Sequence, residues 1–226
     1  MGEEYLLLGT QKVSTVIDKI LRVGKGVAIL NSINGDTNIS FFNSLRDAGI
    51  NATDNPVISF SIGEPELLTI GAKNTAGHYA AWNYFQSIDS RRNSAFVSAI
   101  QSKYGSDAVT SDPMEAAYVG VKLWAKAVEQ AQSIKSDNVR RHIGQQYLAP
   151  QGSVHIDKKN QHLWKTARIG KILSNGQFEI VWQSPEPIRP DPYPIYRSKV
   201  SWHQFIVELY RGWGQRWANS GGSVSN

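Results

Sequence analysis

With 226 residues, 41% of them apolar and 10% aromatic, the chain has ample material for a buried core and is too apolar to remain disordered. Its net charge of +5 comes from Lys and Arg scattered singly, apart from the pairs Arg91-Arg92, Arg140-Arg141 and Lys158-Lys159, a pattern that argues against a nucleic-acid-binding stripe. There is no cysteine, which excludes disulfides, cysteine-ligated zinc and thiol nucleophiles, and no run reaches the roughly 20 apolar residues of a membrane span.

In chain order, residues 4–8 read as a strand, and Val13, Val16, Ile17, Ile20 and Leu21 then recur at helical spacing until Gly24 to Gly26 ends the helix. A second apolar strand over 27–33 completes a β-α-β unit. It runs through Asn34-Gly35-Asp36-Thr37-Asn38 into a helix over 39–48, with Phe41, Phe42 and Leu45 on its buried side and Gly49 as its stop. Residues 57–62 form another buried strand, so the alternation predicts a parallel sheet. The next helix opens at Gly63-Glu64-Pro65-Glu66-Leu67, where proline suits the first turn and two acids suit its positive end. Glu66 is expected to face solvent.

Residues 77–85 are extended and aromatic, and amphipathic helices follow over 93–104 and 113–131, the second with Ala116, Val119, Leu123 and Ala127 on one face. No strand separates these two helices, and helices need a sheet or other helices to cover, so some packing partner is expected to be absent. Residues 152–157, 164–173 and 177–182 read as strands, the last two joined by a hairpin turn at Ser174-Asn175-Gly176. Residues 184–196 form an extended proline-rich arm, and a final helix covers 199–213 before a frayed Gly/Ser tail. No internal repeat is present. The first 30 residues lack the charged start, apolar centre and cleavage site of a secretory signal, so the protein is expected either to be cytoplasmic or to lack its front end.

In an open α/β sheet, small ligands bind beyond the carboxyl ends of the strands, where loop polar groups and helix N-termini converge. Asp36 and Glu64 each follow a strand at that end. For Asp36 a helix N-cap fits the Gly-Asp-Thr-Asn sequence as well as a ligand contact does, and for Glu64 a favourable first-turn charge is the alternative. The aromatics Tyr79, Trp82, Tyr84 and Phe85 suit either a cleft wall or core packing. Asp112 and Glu115, in Asp-Pro-x-Glu, read as a cap with an acidic first turn. The five histidines are dispersed, with no pair at i and i+4, no G-x-S-x-G elbow and no phosphate-cradling loop, so an enzyme is not expected.

The blocks NSINGDTN (31–38), GHYAAWNYF (77–85), SDPMEAAY (111–118), NQHLWK (160–165) and PEPIRPDPY (185–193), with RGWGQRWA (211–218) near the end, resemble the urea and short-chain amide branch of the type I periplasmic substrate-binding proteins of ABC transporters. The amide-sensing regulator of amidase operons shares that fold and resembles the chain at its proline-rich block. The resemblance implies an α/β type I periplasmic-binding-protein-like fold with the second lobe nearly complete, plus helices belonging to a first lobe whose sheet is missing upstream. In this reading residues 1–76 are the second-lobe core, 77–150 the crossover and first-lobe helices, and 151–226 the second-lobe hairpin, proline-rich strap and C-terminal helix. It further implies a small polar ligand (urea or a short-chain amide) bound by hinge closure, with ABC permease subunits as partners and no cofactor. The location would be periplasmic or at the membrane surface. By resemblance, Asn34, Gly35 and Asp36 form the second-lobe binding loop and Glu64 is the acidic cleft residue; Tyr79 and Trp82 are added as ligand-binding candidates from the aromatic crossover, as rings able to wall a cleft. The alternatives are a sensor of the same fold and a fragment that binds nothing.

Overall fold

The computed structural model describes residues 2–193 and 196–217. Helix α1 (Ser14–Val23) is followed by β1 (Ile29–Asn31), α2 (Thr37–Asp47), β2 (Val57–Ser59), α3 (Glu64–Ile70), the short α4 (Ala72–Thr75) and β3 (Tyr79–Trp82). Then come α5 (Arg91–Tyr104), α6 (Asp112–Ala131), α7 (Ser136–His142), β4 (Tyr147–Ala149), β5 (Gly152–Ile156), β6 (Leu163–Trp164), β7 (Arg168–Ile172), β8 (Phe178–Gln183) and α8 (Lys199–Gly212). Neither α4, α7 nor β4 was expected: each is a segment too short to show a periodicity.

The main sheet has the order β1-β2-β3-β7-β8. Its first three strands are parallel and β7 and β8 are antiparallel additions, so the sheet is mixed rather than wholly parallel. The strand expected over 4–8 is not formed. Leu6 does pack on the core and Glu4 pairs with Lys19, but the segment's backbone has no ladder partner and β1 is left as an edge with Leu30 70% exposed. The stretch expected as one strand over 164–173 is two, in different sheets: β6 pairs with β5, and β7 with β3 and β8. Hairpin 174–176 forms as expected, with Gly176 at φ +80 and its N–H donating to Leu173 O at 3.1 Å.

Two apolar cores result. The larger joins α1, α2 and α3 to the sheet through Ile17, Phe41, Phe42, Leu45, Val57, Leu67, Ile172 and Phe178. The smaller joins α6 to the β4-β5-β6 sheet through Val119, Leu123, Ala149 and Val154. The opposite side of α6 carries Val121 and Trp124, 65% and 51% exposed. Between the two sheets the chain passes out through residues 83–90 and back through 165–167. The proline-rich arm lies along the return passage, with Ile188 N–H donating to Lys165 O at 2.8 Å and Ser184 N–H to Ala167 O at 2.9 Å. Pro194, Ile195 and the Gly/Ser tail lie outside the described residues.

Gly170 marks the tightest packing in the main sheet. A Cβ there would stand 2.8 Å from Phe85 Cζ and 3.0 Å from Phe178 Cβ, and these rings stack on each other at 4.6 Å. Gly170→Ala is therefore expected to destabilise the protein by about 2 kcal/mol through overpacking, read as a lower guanidinium chloride midpoint at constant m. An unchanged midpoint would mean that both rings can move aside.

Candidate functional site

The parallel register pairs Asn31 with Ser59, which sets the loops after β1 and β2 side by side at the carboxyl rim of the sheet. Buried amides lock the first loop. Asn31 Nδ2 donates to Asn38 Oδ1 at 2.9 Å and Ser59 Oγ at 3.1 Å, Asn31 Oδ1 accepts from Ile33 N at 2.9 Å, and Asn38 Nδ2 donates to Ile33 O at 2.8 Å. Ser61 Oγ, from the second loop, also donates to Ile33 O. These bonds satisfy backbone groups that the short strand leaves unpaired, so the turn through Asn34, Gly35 and Asp36 is held from beneath.

All three turn residues are exposed, and Gly35 sits at φ +67, where a side chain would be strained. Asp36 occupies the N-cap position of α2, but its backbone is helical (φ −64, ψ −19) and its side chain caps nothing. The capping role is not taken up because an N-cap side chain reaches the helix N–H groups from an extended backbone. Its carboxylate has no hydrogen-bond or ion-pair partner among the described residues.

Glu64, in the adjacent loop, is 1% exposed, and its Oε1 accepts the Gln86 N–H at 2.6 Å. Burial pushes its pKa up to about 7; backbone N–H groups of Gln86 and of its own helix turn pull the other way, and the neighbouring Glu66 and Asp112 charges add to the rise. Glu66, expected to face solvent, instead turns back so that Oε2 accepts the Gly63 N–H at 2.8 Å and closes the start of α3. Trp82 is half-buried against the larger core and its Nε1 donates to Ile62 O at 2.8 Å, at the same rim. Tyr79 lies at the other end of β3, about 10 Å along the strand. The structure therefore gathers Asn34, Gly35, Asp36, Glu64 and Trp82 at one rim and sets Tyr79 back from it.

Behind this rim lies a buried charged cluster that was not anticipated. Asp112 and Glu115 open α6, but neither caps it. Asp112 Oδ2 accepts the N–H groups of Asn83 and Tyr84 at 3.0 and 2.9 Å, because the outgoing passage presents two unpaired amides there. Glu115 is fully buried; burial raises its pKa, and Lys165 at 3.6 Å, itself 3.9 Å from Asp112, opposes the rise. Arg168 donates through Nη1 to Asn83 O and through Nη2 to Gln151 O at 2.8 Å. Tyr84 Oη is bound to Asn93 Oδ1 and Thr110 Oγ1, both at 2.7 Å. One hint lay in the strand Arg168–Ile172, where alternation puts Arg168 on the same buried face as Gly170 and Ile172. His78 is buried too. Its Nδ1 accepts the Val57 N–H at 3.1 Å and burial pushes its pKa down to about 4, so it is a neutral structural group.

Residues 1–199 match the periplasmic binding protein domain family. Among curated proteins, the chain is 26% identical over 171 residues to Leu/Ile/Val-binding protein homolog 6 of Brucella melitensis, covering 73% of this chain and 43% of that one. It is also 35% identical over 124 residues to a protein named limonene hydroxylase from Geobacillus stearothermophilus, covering 54% of this chain and 23% of that protein. Among solved structures, an R. palustris ABC-transporter solute-binding protein in complex with 4-hydroxybenzoate superposes with TM-score 0.70 at 20% identity, over 81% of this chain and 51% of that one. The closed Leu-, Ile-, Val-, Thr- and Ala-binding protein of Brucella ovis does so with TM-score 0.68 at 14% identity, over 80% and 49%. The chain thus spans about half the length of these solved relatives, and none of the relatives named here is described as a urea or amide binder. With its mixed α/β sheet, locked rim loops and two interlayer passages, the chain belongs to the periplasmic binding protein family and has its type I fold.

Proposed function

We propose that this chain is the ligand-binding component, or the second-lobe portion of one, of an ABC-type uptake system, and that its ligand is urea or a short-chain amide. The observation that carries this reading is the rim itself, where an exposed, unpartnered Asp36 on a locked turn stands beside the buried carboxyl of Glu64. Urea and small amides present N–H donors on one edge and a carbonyl on the other, and an enclosed site must satisfy both. Asp36 suits the N–H edge, the Asn34 side chain and the loop backbone suit the carbonyl, and Glu64, Trp82 and Tyr79 stand behind them. Binding would bridge two lobes and shift the population toward a closed form recognised by membrane permease subunits at the periplasmic face. No bond is made or broken in this mechanism.

Titration calorimetry with urea, acetamide, leucine and 4-hydroxybenzoate tests it, with Asp36→Ala in parallel because that side chain is exposed and leaves the fold intact. The expected result is saturable binding of urea or acetamide, at least tenfold weaker in the variant, a loss of about 1.4 kcal/mol or more. Binding of leucine or 4-hydroxybenzoate alone would overturn the amide assignment and keep the binding-protein reading. Flat traces for all four would overturn both for this polypeptide.

A further inference from the structure

Members of two of the three basic pairs visible in the sequence are brought together by the fold, on elements outside the main sheet. Arg140 and Arg141, from the last turn of α7, and Lys158, from the turn after β5, line one open pocket of about 370 Å³ together with Asp137, Ile143 and Gln161. Basic residues in the last turn of a helix suit its negative end, which accounts for the two arginines. It does not account for Lys158, which comes from another element. The lysine stem is seated over Gly144: a Cβ at that position would stand 2.8 Å from Lys158 Cε and 3.0 Å from Cγ, and Gly144 is at φ +117. Arg141 is held by the side chain of Asn138. Among the described residues Arg140, Arg141 and Lys158 meet no carboxylate within ion-pair distance, so the three charges that share this pocket are uncompensated there. Asp137 lines the pocket without pairing to any of the three.

We propose that this pocket binds a phosphoryl group. Three cations against one carboxylate match an anion with close to two negative charges at neutral pH, which a phosphate monoester carries and a carboxylate does not. Two guanidinium forks and an ammonium supply enough donors for several oxygens of a tetrahedral anion, and Arg is the side chain whose geometry favours such contacts. The pocket is open, so the rest of the ligand stays in solvent. The phosphoryl group can therefore belong to a soluble phosphate or to a lipid headgroup, and the site is independent of the ligand-binding reading above.

The test is calorimetric titration with inorganic phosphate at low ionic strength, alongside sedimentation with phosphatidylcholine vesicles containing phosphatidic acid, whose headgroup is a phosphate monoester. Lys158→Gln and Arg141→Gln are compared with Lys103→Gln, an exposed cation on α5. The expected result is saturable phosphate binding that weakens at least tenfold in each pocket variant and is unchanged in Lys103→Gln. Binding to the vesicles alone, with the same pattern among the variants, supports the site and assigns it to a lipid headgroup. No saturable binding to either probe overturns the proposal. Equal weakening in all three variants does so too, because it reports the net charge of the surface.

Discussion

Replacing Glu64 by glutamine is expected to stabilise the protein by about 3 kcal/mol at pH 8 and to leave it nearly unchanged at pH 4. The carboxyl starts from 4.5 and is held at about 7 when folded. Between those values the folded state keeps a proton that the unfolded state has lost, so this contribution to stability is complete below pH 4.5 and disappears as pH rises through 7. A gap of about 2.5 units at about 1.36 kcal/mol each gives the stated size. Glutamine holds the neutral state permanently and still offers Oε1 to the Gln86 N–H. His78 works in the opposite sense, since burial lowers it from 6.5 to about 4 and its contribution is lost as pH falls through that range. The two slopes oppose each other between about pH 4.5 and 6.5. Thermal unfolding across pH 4 to 8 should therefore show a flat central region in the parent and a rise with pH in Glu64→Gln. Parallel profiles would mean that Glu64 ionises in the fold at no cost.

Asp112→Ala is expected to cost about 3 kcal/mol, because the amides of Asn83 and Tyr84 lose their shared acceptor and Lys165 keeps only Glu115 as a partner. Asp112→Asn retains one acceptor oxygen and should lose about 1 kcal/mol. Hydrogen exchange supplies a local readout, with the amides of residues 83 and 84 expected to exchange faster in the alanine variant even where the global midpoint is corrected for. A midpoint within about 0.5 kcal/mol of the parent, with exchange unchanged, would show that water replaces the carboxylate without loss.

The elements legible in the sequence are those with a local cause. Helices α1, α2 and α3 have periodic apolar faces with Gly24, Gly49 and Gly63-Glu64-Pro65 as punctuation, and the 174–176 hairpin needs only Asn-Gly. Residues 4–8 have the composition of a strand, but a strand exists only where a neighbour pairs with it, and composition does not reveal the neighbour. The run 164–173 was read as one strand because an apolar stretch does not disclose that residues 165–167 carry the chain from one sheet to the other. At the site, Asp36 and Glu64 were legible because strand ends in an α/β sheet converge. The cluster of Asp112, Glu115, Lys165 and Arg168 was not, since its members come from α6, the return passage and β7 and meet only in the folded chain. Glu66 turns back instead of facing solvent because it stands three residues after the N-cap Gly63 and accepts its backbone N–H, a partner that a glycine N-cap with no side-chain oxygen does not advertise.

The two passages between the sheets leave from β3 and β7, which are paired antiparallel with Trp82 opposite Arg168. Beyond the last paired residues side chains carry the link: Asn83 Nδ2 donates to Thr166 O at 3.1 Å, and the Arg168 guanidinium reaches back to Asn83 O. The two passages are therefore cross-linked through side chains, and the return passage pairs through its backbone with the proline-rich arm, so they are not independent tethers. Sliding one passage past the other would break both cross-links at once. An added residue in either passage alone is therefore expected to cost both cross-links, because Asn83 takes part in each of them.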